Sequence, residues 1–345
     1  MARTPGDQAR TTLRDVADRA GVHASTVSRA LNPETAGMVT PEVAKRVLDA
    51  ADQLGYRPNP IASSLRTNRT LTIGVVIPDL TNPLFPPIIR GIEDKLAPAG
   101  YTAIIANTDN DPERESVTID RMRERRVDGL ILATARRKDS LIDACQQDET
   151  PLVLINRTVD GDGIACIVND EALGMKLVVD HLAGLGHQKI AYVGGPNNLS
   201  TGHQRNRGFR QAMRRAGLKP DNDLIVLADS FSEEPGRLAC ARLFAHGKPF
   251  TAIVAANDLL ALGCFDAIAE AGIRCPRDVS VTGFNDMPFL SRINPPLTTV
   301  RISHYHMGSR AAETLLDLVQ QTALPVQHLL LEPELVIRRS TARPR

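Results

Sequence analysis

Within residues 12–32, small polar side chains and one arginine alternate with apolar residues at helical spacing. Ser25, Ser28 and Arg29 fall on one face of a predicted helix, away from its apolar stripe. A guanidinium on such a face can bond O6 and N7 of a guanine together, and small hydroxyls can reach bases or phosphates. The chemistry that these side chains suggest is hydrogen bonding to double-stranded DNA.

Two short helices joined by a glycine turn are predicted to hold this face. Thr12 suits the N-cap of the first helix, and Asp15 stands where the acid of a capping box would be. Gly21 ends that helix, because glycine adopts the left-handed conformation at little cost. Such a pair is a helix-turn-helix, whose second helix enters the DNA major groove. The alternative is a solvated helical hairpin in which Arg29 is only a surface charge.

A third helix and a short linker follow. The sequence Thr-Pro-Glu at residues 40–42 is a strong helix start, and Gly55 ends the predicted helix. The segment 59–69 is too short to be a stable helix alone, since helix nucleation is costly. It suits a linker that folds only on DNA, with Leu65 wedged between base pairs of the minor groove and Arg66 near phosphates. The alternative is an ordinary linker whose leucine packs on the next domain.

Length and charge indicate a DNA-binding head on a larger body. The chain has 345 residues, of which 42% are hydrophobic, and this suits two or three folding units. The net charge of +1 is spread unevenly: residues 1–70 contain ten Lys/Arg and seven Asp/Glu, whereas residues 71–345 contain 31 and 33. A basic head on a slightly acidic body favours a DNA reader with a separate regulatory domain.

Cysteine usage and hydropathy predict a soluble cytoplasmic protein, nucleoid-associated when it is bound to DNA. The five cysteines are scattered and include no Cys-x-x-Cys pair, so we expect reduced thiols rather than disulfides or a zinc site. The N-terminus lacks the apolar core of a signal peptide. No stretch reaches the ~18 apolar residues of a membrane span, and no membrane partner is expected.

From residue 71 onward, strand and helix patterns alternate, which predicts parallel sheets with right-handed crossovers. The predicted strands are 71–77, 101–107, 127–133, 152–155, 189–193, 224–227, 251–255 and 279–284. The predicted helices are 85–96, 112–125, 140–147, 171–185, 205–216, 233–245 and 258–271. Because the series restarts near Cys166 after the turn-rich stretch 158–163, we predict two doubly wound subdomains.

Loops at the carboxyl ends of these strands are the predicted ligand site, because doubly wound sheets bind ligands there and the cleft between two of them is a natural pocket. The loops 78–85, 256–258 and 283–286 offer amides and carboxylates, and a helix entry at 201–209 offers an arginine. Such groups bond the hydroxyls of a polyhydroxylated ligand, and aromatic rings cover the C–H face of a sugar.

Each of these side chains also has a structural interpretation. Asn257 or Asp258 could cap the helix that follows, which is a common use of these residue types. Arg205 could be a surface charge at a helix start, and Phe85 could belong to the core. The residues alone leave these alternatives open.

Four motifs occur together in the first 66 residues, namely Leu13–Val22, Thr26–Asn32, Leu54–Asn59 and Ala62–Arg66, and a fifth lies at Asn294–Val300. With these motifs the chain resembles the lactose-repressor (LacI/GalR) family of bacterial transcriptional regulators over nearly its whole length. The resemblance implies an N-terminal all-α helix-turn-helix headpiece. It also implies an α/β core of two doubly wound parallel-sheet subdomains, similar to periplasmic binding proteins.

Pattern and resemblance together predict the domain boundaries and the DNA contacts. The headpiece is expected over 1–58 and the hinge helix or linker over 59–69. The effector-binding and dimerisation core is expected over 70–345, with one subdomain at about 70–162 and 301–324 and the other at about 163–297 and 326–345. The predicted DNA-binding residues are Thr12, His23, Ala24, Ser25, Thr26, Ser28, Arg29, Asn32, Tyr56, Asn59, Ala62, Leu65 and Arg66.

The resemblance further implies a small-molecule effector, a sugar, sugar acid or similar compound, bound in the cleft. The implied effector-binding residues are Asn82, Phe85, Asn156, Arg205, Phe231, Asn257 and Asn285. Arg205 is the residue expected to meet an anionic or vicinal-hydroxyl group, since its planar fork suits bidentate contact.

Three features depart from the pattern of the family. Pro86-Pro87 follow Phe85, Asn285 stands where several sugar-binding relatives carry an aspartate, and the chain contains no tryptophan. The second change removes a negative charge from the implied site, and the third leaves ring stacking to phenylalanine.

Two other functions compete with a regulator. A solute-binding protein of a transporter would share the two-lobed core, but it predicts a signal peptide and leaves residues 12–69 unexplained. An enzyme with a DNA-binding module predicts a catalytic motif, and no Gly-x-x-x-x-Gly-Lys-Ser/Thr, Gly-x-Ser-x-Gly or His-Glu-x-x-His is present. We therefore predict a non-enzymatic DNA-binding repressor, without cofactor or metal. It is expected to bind a palindromic operator as a homodimer and to respond allosterically to its effector.

Overall fold

The structure is a computed structural model that describes residues 11–32, 35–57, 69–321 and 328–345. The chain divides into two compact units, residues 1–70 and residues 71–345. All five cysteines are free thiols. Within the described ranges no helix is both long and apolar enough to span a bilayer.

In its described residues, the first unit contains three α-helices, α1 (Leu13–Ala20), α2 (Ala24–Ala30) and α3 (Pro41–Gln53). A capping box starts α1, because the Thr12 side chain accepts from the backbone N–H of Asp15 and the Asp15 carboxylate accepts from the N–H of Thr12. Gly21 ends α1 in the left-handed region with φ 64°. The predicted pair of helices around a glycine turn is therefore confirmed.

The three helices enclose a small apolar core of their own. Val16, Val27 and Val47, one from each helix, are fully buried at its centre. Pro41 occupies the first position of α3, as predicted, whereas Thr40 takes the N-cap position without a side-chain capping bond. Burying one stripe per helix leaves the opposite face of each helix to solvent.

The second unit alternates strands and helices. Its strands are β1 (Thr72–Ile77), β2 (Thr102–Asn107), β3 (Gly129–Leu132), β4 (Leu152–Ile155), β5 (Ala165–Asn169), β6 (Ile190–Gly194), β7 (Ile225–Leu227), β8 (Ala252–Ala255), β9 (Ser280–Asn285), β10 (Thr298–Arg301), β11 (His328–Leu331) and β12 (Glu334–Val336). Its α-helices are α4 (Phe85–Leu96), α5 (Pro112–Glu124), α6 (Ser140–Gln147), α7 (Glu171–Gly184), α8 (Ser200–Arg215), α9 (Glu233–Ala245), α10 (Asp258–Glu270) and α11 (His304–Val319).

The strands form two six-stranded sheets, which confirms the predicted pair of doubly wound subdomains. The first sheet has the order β11-β5-β4-β3-β1-β2 and is parallel throughout. The second has the order β12-β10-β9-β8-β6-β7 and is parallel except for β12, which runs antiparallel to β10. Central strands such as β3 and β8 are buried at every residue, because helices cover both faces of each sheet.

The two sheets divide the chain one strand later than the sequence predicts. The sequence predicts a second subdomain at about 163–297 and 326–345, but β5 pairs with β4 in the first sheet, and β11 pairs with β5. The turn-rich stretch 158–163 is thus the connection between neighbouring parallel strands, not a subdomain boundary. The chain passes between the sheets after β5, after β10 and after β11, so both subdomains are discontinuous.

A buried carboxyl group joins three elements of the second subdomain. Asp258, the first residue of α10, has no exposed surface. Its Oδ1 accepts from Thr299 Oγ1 in β10 at 2.5 Å, and its Oδ2 accepts from the backbone N–H of Met287 at 2.9 Å. Burial raises the pKa of Asp258 to about 7, although these hydrogen bonds and Arg205 favour the charged form.

Asp258 should therefore make stability depend on pH. The unfolded carboxyl group titrates near 3.8, so between that pH and about 7 the folded chain binds a proton that the unfolded chain does not. The stabilisation is present in full below pH 3.8 and is lost as the pH rises through about 7. We expect the melting temperature of the native protein, relative to Asp258→Asn, to increase as the pH is lowered from 8 to 5. Asp266→Asn, an exposed change on the same helix, is the control, and a constant difference for Asp258→Asn would contradict the expectation.

Candidate functional site

The second helix of the headpiece presents its predicted polar face to solvent. His23, Ser25 and Arg29 are exposed, whereas Val27 and Ala30 are buried against the other helices. His23 also caps α2, since its Nδ1 accepts from the backbone N–H of Ser25 at 3.2 Å. The face therefore combines an exposed arginine with short polar groups on a capped helix.

The other predicted DNA-binding residues differ in their placement. Ala24, Thr26, Ser28 and Asn32 are half-buried beside this face, Thr12 is exposed at the start of α1, and Tyr56 packs against the headpiece core. Asn59, Ala62, Leu65 and Arg66 lie outside the described residues. The interpretation of Leu65 as a minor-groove wedge stays a prediction.

A cavity of about 270 Å³ lies at the carboxyl ends of strands from both sheets. All seven predicted effector-binding residues line it, namely Asn82, Phe85, Asn156, Arg205, Phe231, Asn257 and Asn285. They come from loops and helix starts that follow β1, β4, β6, β7, β8 and β9. The topology brings them together because these strand ends converge on the cleft between the subdomains.

Asn257 has the capping role that the sequence left open, and Asn82 also accepts a hydrogen bond from the local backbone. Asn257 caps α10, with its Oδ1 accepting from the N–H of Leu260 at 2.9 Å. Asn82 Oδ1 accepts from the N–H of Leu84 at 3.0 Å. With each oxygen used in this way, the amide group that remains for a ligand is the Nδ2 donor.

Asn156 is held in an unusual conformation at the cavity wall. It follows β4 with a φ of 61°, and it is 6% exposed. Its Oδ1 is buried and has no hydrogen-bond partner among the described residues. A buried polar atom without a partner costs free energy unless a ligand or water satisfies it. The Oδ1 of Asn156 thus keeps an unused capacity to accept a hydrogen bond.

Arg205 differs from its predicted placement. The sequence put it at the start of a helix, but α8 begins at Ser200, so Arg205 lies in the second turn and is only 2% exposed. Its Nε and Nη2 donate to the two carboxylate oxygens of Glu171 at 2.5 and 3.1 Å. The fork that was expected to grip an anionic ligand is therefore already occupied by a carboxylate of the protein.

The remaining contacts of Arg205 tie the floor of the cavity together. Nη1 donates to the carbonyl oxygen of Ala256 at 2.7 Å, and Nη2 donates to Asn285 Oδ1 at 3.4 Å. The guanidinium lies 3.9 Å from the centre of the Phe284 ring, in a cation–π contact. Burial raises the pKa of Glu171, and the charge of Arg205 opposes that effect. Arg205 thus orients Asn285 toward the cavity.

Phenylalanine rings supply the apolar part of the wall. Phe85 is 2% exposed and belongs both to the core and to the lining, so its two interpretations are compatible. Phe231 is half-buried and lies over Gly195, where a Cβ would overlap its ring. Pro86 and Pro87 occupy the first turn of α4, where proline is tolerated, and the helix continues to Leu96.

Two arginines and one asparagine of the site were not predicted from the sequence. Asn110, Arg136 and Arg157 also line the cavity. Arg136 Nη1 donates to Glu115 Oε2 at 2.9 Å, and both Nη atoms of Arg157 donate to Asn110 Oδ1 at 3.2 Å. Arg157 directly follows Asn156, so its position next to a predicted contact was the one available indication. In the described ranges no group of three or more His, Cys, Asp or Glu side chains is placed to hold a metal ion.

Removing only one partner of the Arg205–Glu171 ion pair should destabilise the folded protein. Arg205→Ala leaves a buried carboxylate without a counter-charge, which is expected to lower the unfolding free energy by about 3–5 kcal/mol. Converting both residues, in Glu171→Gln with Arg205→Met, should recover much of that loss. Lys176→Ala in the exposed Lys176–Asp180 pair should cost less than about 1 kcal/mol. Urea unfolding measures the native protein and the three variants, and equal losses for Arg205→Ala and Lys176→Ala would contradict the expectation.

Two family models match the chain. The model for bacterial regulatory proteins of the lacI family covers residues 12–59, and the model of a periplasmic binding protein-like domain covers residues 179–341. The HTH-type transcriptional regulator RegA of Clostridium saccharobutylicum is 36% identical over 96% of this chain and 99% of the relative. The two sequences thus align over nearly their whole lengths.

Solved structures share the fold along the chain. The lac repressor dimer bound to operator and the anti-inducer ONPF has a TM-score of 0.84 and 29% identity, covering 96% of this chain and 99% of the repressor. A LacI family transcriptional regulator from Enterococcus faecium with bound ribose has a TM-score of 0.69 and 30% identity, covering 79% and 100%. With its helix-turn-helix headpiece and its ligand-binding core, the chain belongs to the lacI family of bacterial regulatory proteins and is a DNA-binding transcriptional regulator.

Proposed function

We propose that this regulator binds a palindromic operator as a homodimer and changes its operator affinity when a small polar effector, a sugar or sugar derivative, occupies the cavity. The observation that carries the proposal is the cavity itself. Side chains that are far apart in the sequence, such as those of Asn82 and Asn285, line one cavity of about 270 Å³. A site of this size and composition suits one small polyhydroxylated molecule.

The DNA-binding part of the proposal rests on the face of α2. Arg29 extends from a helix whose apolar side is buried, so its guanidinium is available to a base edge in the major groove. The lac repressor neighbour is a dimer on its operator. A dimer of the present chain would place two such helices about a two-fold axis, and the operator would mirror that symmetry.

The effector part of the proposal rests on the kinds of atoms that face the cavity. Amide donors of Asn82 and Asn257 and the acceptor of Asn156 can bond hydroxyls, while Phe85 and Phe231 can cover C–H groups. The Enterococcus faecium neighbour holds ribose. These observations support a sugar-like ligand for this chain.

Regulation would arise from the way the cavity is divided between two subdomains. A ligand that contacts both lobes favours one angle between them, and the linker over 59–69 would be ordered or disordered accordingly. This is a coupling free energy between the effector site and the DNA site, so operator binding must change effector affinity by the same factor.

Arg29→Ala tests base recognition. The change should weaken operator binding by about 1–3 kcal/mol and relax the preference at one base pair in each half-site, because a bidentate contact is lost. The operator is first selected from a random DNA pool with the native protein, and binding is then measured by gel shift. Arg46→Ala, an exposed arginine of α3, is the control and should leave base preference unchanged. Equal losses on operator and random DNA would identify Arg29 as a phosphate contact instead.

Asn257→Asp tests the effector site with little effect on the fold. Aspartate is as good an N-cap as asparagine, so α10 is retained while the Nδ2 donor becomes a carboxylate oxygen. A thermal-shift screen of sugars, sugar acids, polyols and nucleobases identifies the effector, since a ligand of the folded state raises the melting temperature. We expect Asn257→Asp to lower the affinity for the effector about tenfold or more, because one strong or charge-assisted hydrogen bond is lost. Operator binding should be retained. Asn222→Asp, on an exposed turn, is the control; unchanged affinity in Asn257→Asp would count against the cavity as the effector site.

A further inference from the structure

The wall of the cavity in the first subdomain carries a buried cation without a carboxylate partner. Arg157 is 7% exposed, and its guanidinium is held by the neutral amide of Asn110. Among the described residues no carboxylate oxygen reaches ion-pair distance of this group. Burying a charge without a counter-charge is costly, and proteins usually pair such groups.

The nearest acidic side chain is already used by another arginine. Glu115 is 1% exposed, and its Oε2 accepts from Arg136 Nη1 at 2.9 Å while its Oε1 accepts from the hydroxyl of Thr134. The carboxylate of Glu115 therefore pairs with Arg136 and not with Arg157. Burial, together with the charge of Arg136, lowers the pKa of Arg157 to about 10, so the guanidinium is still charged at neutral pH.

Among the described residues, no other carboxylate that lines the cavity forms an ion pair with Arg157. Arg205 on the opposite wall is matched by Glu171. Asp229 is exposed at the mouth of the cavity, and Asp79 is half-buried with its Oδ1 accepting from the N–H and hydroxyl of Thr81. One positive charge at the buried wall thus faces the cavity unmatched.

We infer that Arg157 is the oxyanion-binding residue of the cavity, and that the effector carries a carboxylate or a phosphate group in addition to hydroxyls. A planar guanidinium binds two oxygens of such a group side by side, and the ion pair gains strength in a site removed from solvent. Asn156, the preceding residue, adds its unpartnered Oδ1 as an acceptor for a neighbouring hydroxyl. This inference rests on the proposed function of the cavity and moves anion recognition from Arg205 to Arg157.

Matched ligands that differ only in charge test the inference on the full-length protein. The probes are D-ribose, D-ribonate and D-ribose 5-phosphate, and D-glucose, D-gluconate and D-glucose 6-phosphate, with acetate and inorganic phosphate as anions without hydroxyls. We expect an acidic sugar to raise the melting temperature at concentrations where its neutral parent does not. The carboxylate and phosphate arms identify which oxyanion is preferred.

Variants of Arg157 then assign the charge to one residue. Arg157→Gln should weaken binding of the acidic sugar by about tenfold or more, and Arg157→Lys should retain part of the affinity because the charge remains while the fork is lost. Arg210→Gln is the matched control, since Arg210 is also held by asparagine amides, those of Asn206 and Asn222, but lies outside the cavity. The unliganded Arg157→Gln protein should melt no lower than the native protein, because it loses a buried unpaired charge.

The inference is overturned if only neutral sugars stabilise the protein, if no acidic member does so, or if Arg157→Gln binds the acidic sugar as tightly as Arg210→Gln does. Other results of the same experiments bear on the proposed function independently of this inference. A neutral sugar that loses affinity in Asn257→Asp and alters operator binding would uphold the regulator while excluding an acidic effector. Stabilising anions that leave operator binding unchanged would instead count against the proposed regulation.

Discussion

The buried pair of Arg205 and Glu171 is the contact on which the ligand-binding core depends most. It joins the start of α7 to the second turn of α8, and through Ala256 and Asn285 it reaches the ends of β8 and β9. Four hydrogen bonds and the Phe284 ring fix one guanidinium, so a single side chain sets the spacing of several cavity-lining segments. The charge is matched within the protein, and this leaves Arg205 to position neighbours rather than to seek an anion.

Close packing of helices supports the strands whose carboxyl ends form the cavity. Central strands such as β3 and β8 are buried at every residue, because closely packed helices cover both faces of each sheet. In the first subdomain α4 and α11 approach through Gly91 and Gly308, where a Cβ at either glycine would overlap a backbone oxygen of the other helix. Such close packing makes the sheets rigid, and the loops at their carboxyl ends carry the polar groups.

The cavity also shows how polar residues can serve both fold and function. Asn82 and Asn257 satisfy backbone donors with their oxygens and present their nitrogens to the cleft. Arg157 and Asn156 instead hold unmatched groups, a charge and an acceptor, at the same wall. Groups left unsatisfied inside a protein lower its stability, and they are retained where a ligand supplies the missing partner.

Local patterns in the amino-acid sequence predict most of the helices and strands of this protein. Helical and strand periodicity predicted most helices to within a residue or two, and Gly21, Pro41 and the capping box of Thr12 marked ends of the headpiece helices. These features are local, because caps, turns and apolar stripes act over a few residues. The seven predicted effector-binding residues were implied by the resemblance to the family, whereas their places in the chain left structural interpretations open.

The pairing of charges and the sheet to which each strand belongs become visible only in the folded chain. Glu171 and Arg205 are 34 residues apart, and nothing in either segment marks the other as its partner. The same holds for β5, which is placed in the first sheet by its bonds to β4 and β11 rather than by its composition. The unmatched charge of Arg157 likewise depends on Glu115 being taken by Arg136. Long-range pairing is set by the packing of whole elements, so these properties appear only once the chain is folded.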